Sequence, residues 1–246
     1  MKLNRQSGVT LIEILIAVSL LSLLSVGVLV AMRIALNTLD KTDAHLIHNR
    51  RIANSEKILE NQLAGLMVTQ AEWRPGPDIS EILPFVQFEA QTMRFVTLYS
   101  LQDGLRGHPQ IAAFQVIPGE RGVGVRLIVN ETPYTGRTQA GLMVTGMEPE
   151  PQTGTRLIRY AAVVPGPQSF ILADRLAYCR FVYLERRFEP PFTLWRSDWV
   201  RPFELPLGIR IEMAPLTTVP GELHVGTVTV PLHLTRDTTT LYNDGN

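Results

Sequence analysis

One cysteine, Cys179, stands among 246 residues, so no intrachain disulfide can staple the fold. It lies in the alternating apolar run Ala-Tyr-Cys-Arg-Phe-Val-Tyr, which reads as a buried, inert thiol. Charge of one sign is also missing: 23 Lys and Arg oppose 23 Asp and Glu. A balanced chain lacks the basic footprint of nucleic-acid binding, so no nucleic-acid partner is expected. No basic run is long enough to suggest a lipid-binding patch. The motifs that organise common active sites are absent as well. There is no Gly-x-Ser-x-Gly, no His-Glu-x-x-His, no phosphate loop and no Cys-x-x-Cys. Gly122-Val123-Gly124 has no third glycine and falls in a strand-like run. His45 and His48, near Asp40 and Asp43, read as a solvated helix face rather than a zinc site. Glu148 and Glu150 flank Pro149 with no sign of a pocket for acid–base work. Asn243, Asp244 and Asn246 are too few oxygen ligands for calcium. The expectation is no enzyme, no catalytic or metal-binding residue and no cofactor.

What the chain does have is one long apolar run. A short basic leader carries Lys2 and Arg5; residues 9–32 then hold a single charge, Glu13. At about 1.5 Å per residue that stretch makes a helix of about 36 Å, enough to cross a hydrocarbon core of about 30 Å. A secretory signal has a shorter apolar region, of about 7–15 residues, and a small-residue cut after it. The plain reading is a single-pass anchor, with Lys2 and Arg5 keeping the amino end in the cytoplasm. Such an anchor leaves Glu13 unexplained. A carboxylate near the centre of a membrane helix costs about 2.5–3.5 kcal/mol, and less towards its end.

The leader, Gly8, the apolar helix and a glutamate five residues after the glycine together resemble the signal of type IV pilins and type II secretion pseudopilins. That resemblance implies cleavage by a prepilin peptidase between Gly8 and Val9, and methylation of the new amino-terminus at Val9. It also implies an assembly role for Glu13, whose carboxylate meets the amine of a neighbouring subunit and sets register. An intrachain contact between the Val9 amine and Glu13 is the alternative, since position i+4 shares a helix face. Cleavage leaves 21 Lys and Arg against 23 Asp and Glu. Ala17, Ser19, Ser22, Ser25, Gly27 and Ala31 are small enough for close helix–helix approach, and Gly27 with Ala31 forms a small-xxx-small step.

From residue 33 the helix is expected to continue amphipathically to about residue 70, ending no later than 74. Ile52, Leu59, Leu63 and Leu66 form one stripe, which Leu39 and Leu46 extend upstream. Trp73-Arg74-Pro75-Gly76-Pro77 is expected to break it. Beyond lies a β-rich region, 75–246, with strands at 93–99, 111–117, 123–129, 157–164, 177–185, 208–213 and 223–235. A five-residue loop, Pro118-Gly119-Glu120-Arg121-Gly122, joins the second and third. Pro231 marks an edge, bulge or break. Segments 132–154, 165–168 and 186–207 read as Pro/Gly-rich connections, and Trp195 and Trp199 as pins of a loop to the sheet. The fold class expected is α+β and pilin-like: a long amino-terminal helix, transmembrane in its first half, packed on an antiparallel sheet.

The distal stretches Leu59-Glu60-Asn61-Gln62-Leu63, Met93-Arg94-Phe95-Val96-Thr97, Leu176 to Leu184, Leu194-Trp195 with Trp199, and Leu205 to Ile211 resemble the minor pseudopilins called protein J of the general secretion pathway. That likeness implies a bacterial inner-membrane protein with a periplasmic domain near the pseudopilus tip. Its implied partners are the I, K and H minor pseudopilins, the major pseudopilin and the prepilin peptidase. Two other readings stay open: a W-like minor pilin of a type IV pilus, and an anchored binding domain or enzyme.

Overall fold

A computed structural model describes residues 10–101, 106–151, 154–218 and 223–232. The chain divides into two compact units, Met1–Asn49 and Arg50–Asn246. One helix, α1 (Leu11–Ala64), supplies the regular structure of the first unit and opens the second. Its first part, Leu11–Leu36, is long and apolar enough to cross a membrane. That span runs four residues past Met32 and takes in Arg33, whose long side chain can reach an interface from such a position.

The second unit begins with Arg50. Here α1 is amphipathic: Leu59 and Leu63 are fully buried, and Ile52 and Ile58 pack beside them. The stripe holds at Ile52, Leu59 and Leu63, whereas Leu66, expected on it, is buried but lies past the end of the helix. Leu46 is exposed, contrary to expectation, and the Leu39 side chain lies outside the described residues. The helix stops at Ala64, not near residue 74. Gly65 is the cause. A Cβ there would stand 2.7 Å from Thr97 Oγ1 and 3.2 Å from the Asn61 carbonyl, so only glycine permits so close a crossing. The Gly65 carbonyl then accepts from Leu98 N–H at 3.0 Å, which starts β1 (Leu66–Met67).

The stretch expected to end the helix forms a hairpin. Strands β2 (Gln70–Gly76) and β3 (Ile79–Pro84) pair antiparallel, with Gly76 opposite Ile79 and Pro77-Asp78 as the turn. Pro75 and Pro77 act at a strand end and a turn, the places in a sheet that tolerate proline. After them come β4 (Gln87–Phe88), β5 (Thr92–Tyr99), β6 (Arg106–Pro118) and β7 (Val125–Pro133). Next are α2 (Arg137–Gly141), β8 (Val144–Pro149), β9 (Arg156–Tyr160) and β10 (Phe170–Arg186). The last three are β11 (Thr193–Arg196), β12 (Gly208–Pro215) and β13 (Val228–Pro231). The antiparallel main sheet runs β1-β5-β6-β7-β10-β12-β13, with β4 beside β5 and β11 beside β10. The fold is therefore α+β, a long apolar helix followed by a large antiparallel β domain.

Several bounds differ from those read in the sequence. Segment 132–154 is not a plain connection, since it holds α2 and β8. The fourth expected strand stops at Tyr160, short of 164, and the last contains only Val228–Pro231. Residues 233–246, including Asn243, Asp244 and Asn246, lie outside the described residues. Strand β10 is 17 residues long, about twice the run expected. Its first half pairs with β7, its middle with β12 and its end with β11.

The sheet is covered on both faces, which the sequence did not lead us to expect. On one face lies the core with Leu59 and Leu63, built from Met93, Phe95, Phe114, Leu127, Phe181 and Ile211. On the other, Val96 and Ile111 join Ala71, Leu83, Phe85, Ala140, Val144 and Ile158 from the β2–β3 and β8–β9 hairpins and α2. Alternation along β5 divides Met93 and Phe95 from Val96. The same alternation buries Arg94, which donates to the Ala161 carbonyl at 2.7 Å and lies 5.3 Å from the Tyr160 ring centroid. Burial lowers the Arg94 pKa and raises that of Tyr160.

Candidate assembly site on the amino-terminal helix

The amino end of α1 is built from Thr10 and Glu13. The Thr10 carbonyl accepts from Glu13 N–H at 3.1 Å and from Ile14 N–H at 3.3 Å, so Thr10 is the residue from which the helix starts. In return, Thr10 N–H donates to Glu13 Oε2 at 3.5 Å. Thr-Leu-Ile-Glu thus has the spacing of a capping box, in which the fourth residue reaches back to the first backbone N–H. It gives Glu13 a local partner, but a long and solvent-exposed one. Gly8 and Val9 lie outside the described residues, so the Val9 amine has no stated position here.

Beyond Glu13 the helix presents apolar groups on every side. Leu11, Leu15, Leu23 and Leu29 are all more than 60% exposed, and so are many of their neighbours. A helix apolar all round belongs in lipid or among other helices. Its hydroxyls need no outside partner. Ser19, Ser22 and Ser25 donate to the carbonyls of Ile16, Ser19 and Leu21 at 2.8–2.9 Å. A Cβ at Gly27 would meet nothing within 4 Å, so the helix is notched there and open to close approach.

The other candidate groups serve the β domain. Cys179 is free and buried, and burial pushes its thiol up to about 12. A thiol so protonated at neutral pH is no nucleophile. Glu148 pairs with Arg159 at 2.8 Å on the surface. A cleft of about 220 Å³ lies between Val86–Ala90, Leu157–Arg159 and the loop at Trp199. Some of its polar groups serve the fold: Glu89 accepts from Gln87 Nε2 at 3.0 Å, and Arg159 holds Glu148. Among the described residues no cluster of three or more His, Cys, Asp and Glu could hold a metal.

The tryptophan loop is pinned to the sheet as expected. Trp199 Nε1 donates to the Glu204 carbonyl at 2.9 Å, and its ring packs 6.4 Å from that of buried Tyr183. The guanidinium of Arg210 stacks over Trp195 at 4.0 Å from the ring centroid. Buried Glu185 holds Arg201 at 2.9 Å and Arg196 at 3.5 Å. Glu185, at the end of the strand expected over 177–185, carries no local sign of its burial.

Compared with known proteins, residues 3–29 match the prokaryotic N-terminal methylation motif. That is the signal of type IV pilin-like prepilins, which are structural subunits rather than enzymes. No curated protein and no solved structure matches the chain. The match covers the segment that contains Gly8, Val9, Thr10 and Glu13.

Proposed function

We propose that this chain is a minor pseudopilin of a type II protein secretion system, of the protein J kind. The prepilin peptidase cuts it between Gly8 and Val9, and Val9 is then methylated. Its span anchors it in the bacterial inner membrane, with the β domain in the periplasm. It leaves the bilayer only by exchanging lipid for the helices of other pseudopilins. Its partners are the I, K and H minor pseudopilins and the major pseudopilin, and its place is near the tip. The carrying observation is Glu13, the one acidic group in an exposed span whose other charge, Arg33, lies near its far end. A cationic amine on a neighbouring subunit makes that carboxylate tolerable and ties assembly to processing.

Mass spectrometry of the native protein tests the processing step: the expected chain begins at Val9, and one beginning at Met1 overturns it. Gly8→Leu is expected to retain the leader, seen as slower gel mobility. Deleting the gene tests the system. Loss of protein export with pili intact fits the secretion reading, whereas loss of pili with export intact transfers the chain to a type IV pilus.

A further inference from the structure

The hairpin joining β10 to β11 keeps its largest apolar groups in solvent. Phe188 is 92% exposed and Phe192 64% exposed, at the apex of a loop closed by Arg187 N–H donating to the Phe192 carbonyl at 2.8 Å. Pro190 and Pro191, both exposed, stiffen the apex by fixing φ. At its foot Arg186 and Arg187 are exposed, and neither forms an ion pair among the described residues.

The stem below is held rigidly. Glu185, only 6% exposed, is clamped by Arg201 and Arg196, and Trp195 lies under Arg210. Such anchoring fixes the base of the hairpin, while Phe188 and Phe192 stay exposed.

The choice of occupant follows from area and chemistry. Phe side chains bury about 150–250 Å² each, so the two rings supply far less than the roughly 800 Å² per partner of a stable protein interface. An apex with exposed aromatic rings ahead and, behind them, arginines that form no ion pair among the described residues instead fits a bilayer surface. Exposed Phe side chains can bury at the headgroup/acyl boundary, and arginines favour anionic lipid phosphates. A bilayer also belongs to the surroundings of this chain, since Leu11–Leu36 can span one. We propose that the β10–β11 apex is a membrane-contact tip. Phe188 and Phe192 enter the headgroup region of an anionic bilayer, and Arg186 and Arg187 meet its phosphates. Glu189, exposed between the rings, keeps the contact shallow.

The test uses the full chain in lipid discs, carrying Phe188→Trp as a reporter, with the unsubstituted protein as the baseline for Trp73, Trp195 and Trp199. Brominated lipids are placed either in the disc or in separate acceptor vesicles. Both are made of phosphatidylglycerol and phosphatidylcholine in equal parts, or of phosphatidylcholine alone. The expected result is bromine quenching of the new indole in at least one arrangement, with loss of acrylamide access, stronger in the anionic lipid. Arg186→Gln with Arg187→Gln should lower the ratio of inserted to free tip roughly thirtyfold in anionic lipid, about one kcal/mol for each charge. An indole that stays open to acrylamide and unquenched in both arrangements overturns the proposal. So does an indole shielded only when a second protein is added, which assigns the apex to a protein partner. Because position 188 is almost fully exposed, the reporter leaves the fold intact, and an unchanged melting curve verifies this.

Discussion

Replacing Glu13 by Gln separates two roles that replacement by Leu confounds. In the first role Glu13 caps its own helix. The Thr10 N–H to Oε2 contact is 3.5 Å long and exposed, so it belongs at the weak end of the capping range, about 0.5 kcal/mol. Glutamine serves this position as well as glutamate does. In the second role the carboxylate pairs with a cationic chain end in the assembled fibre. Two unit charges about 4 Å apart contribute about 4 kcal/mol at an effective dielectric of about 20. That corresponds to roughly a thousandfold in association, while the capping contact accounts for about twofold.

The two roles therefore predict different rankings. With charge pairing, Glu13→Gln and Glu13→Leu fail equally to co-purify with partner pseudopilins after cross-linking in cells, although both lose the leader normally by gel mobility. With capping alone, Glu13→Gln assembles like the natural chain and only Glu13→Leu is mildly impaired. Full assembly of the Gln variant would refute the electrostatic role given to Glu13.

Other consequences follow from the β domain. Gly65→Ala should destabilise the chain by about 1–3 kcal/mol, because the new methyl meets Thr97 Oγ1 at 2.7 Å and that hydroxyl is itself tied to the Gln62 carbonyl at 3.0 Å. Thermal melting in detergent reads this, and an unchanged midpoint contradicts the account of why α1 stops. Leu63→Ala, at a fully buried position, should cost about 2–5 kcal/mol in the same assay. Cys179 should resist maleimide at neutral pH until the domain unfolds; rapid labelling of the native chain contradicts its burial. Glu72 is held below its ordinary carboxyl value, first by the hydrogen bond from Arg74 and then by that from Thr138. A depressed carboxyl supports the fold above its ordinary value and loses that support as pH falls. The contact of β2 with α2 should therefore loosen below about pH 4.5, and hydrogen exchange at Thr138 should lose this acid dependence in Glu72→Gln.

Legibility from the sequence tracked how local the cause was. The strands around Phe95, Phe114, Phe181 and Ile211 were readable because alternation is written into each run. The apolar span and its glutamate were readable because nothing else in the chain has that composition. The end of α1 was not: Gly65 was visible, but the reason it ends the helix is Thr97, 32 residues away and brought there by pairing of β1 with β5. Pro75-Gly76-Pro77 was read as the end of the helix, but α1 already stops at Ala64 and these residues turn a hairpin, which only the pairing of Gln70 with Pro84 reveals. Arg94 and Glu185 look like solvent groups in isolation. Their burial follows from a second layer of hairpins and from the folded-back tryptophan loop, neither of which leaves a periodic signal. Thr10-Leu-Ile-Glu13 is the opposite case, a local pattern in plain view whose capping role was hidden by the stronger resemblance to a cleavage signal.

The two parts of α1 show how one secondary structure answers two solvents. In Leu11–Leu36 apolar groups occupy the whole circumference, so no orientation of the helix in water is acceptable and the segment needs lipid or its own kind. From Ile52 on, a single stripe is apolar, and the sheet buries it completely at Leu59 and Leu63. Gln62, between those leucines, is fully buried because it finds Tyr99 O at 3.0 Å and Glu131 Oε1 at 2.7 Å. Glu131 is engaged in turn by Leu101 N–H at 2.9 Å. The Nε2 group of Gln62 is thus satisfied by its own chain, while its Oε1 is buried without a hydrogen-bond partner among the described residues. Glu13 differs: its local contact is long, exposed and weak, while its surroundings in a membrane are costly. That contrast, between an amide nitrogen with short intrachain bonds and a carboxylate whose local contact is long, marks the start of the helix as a place where an outside cation would add most.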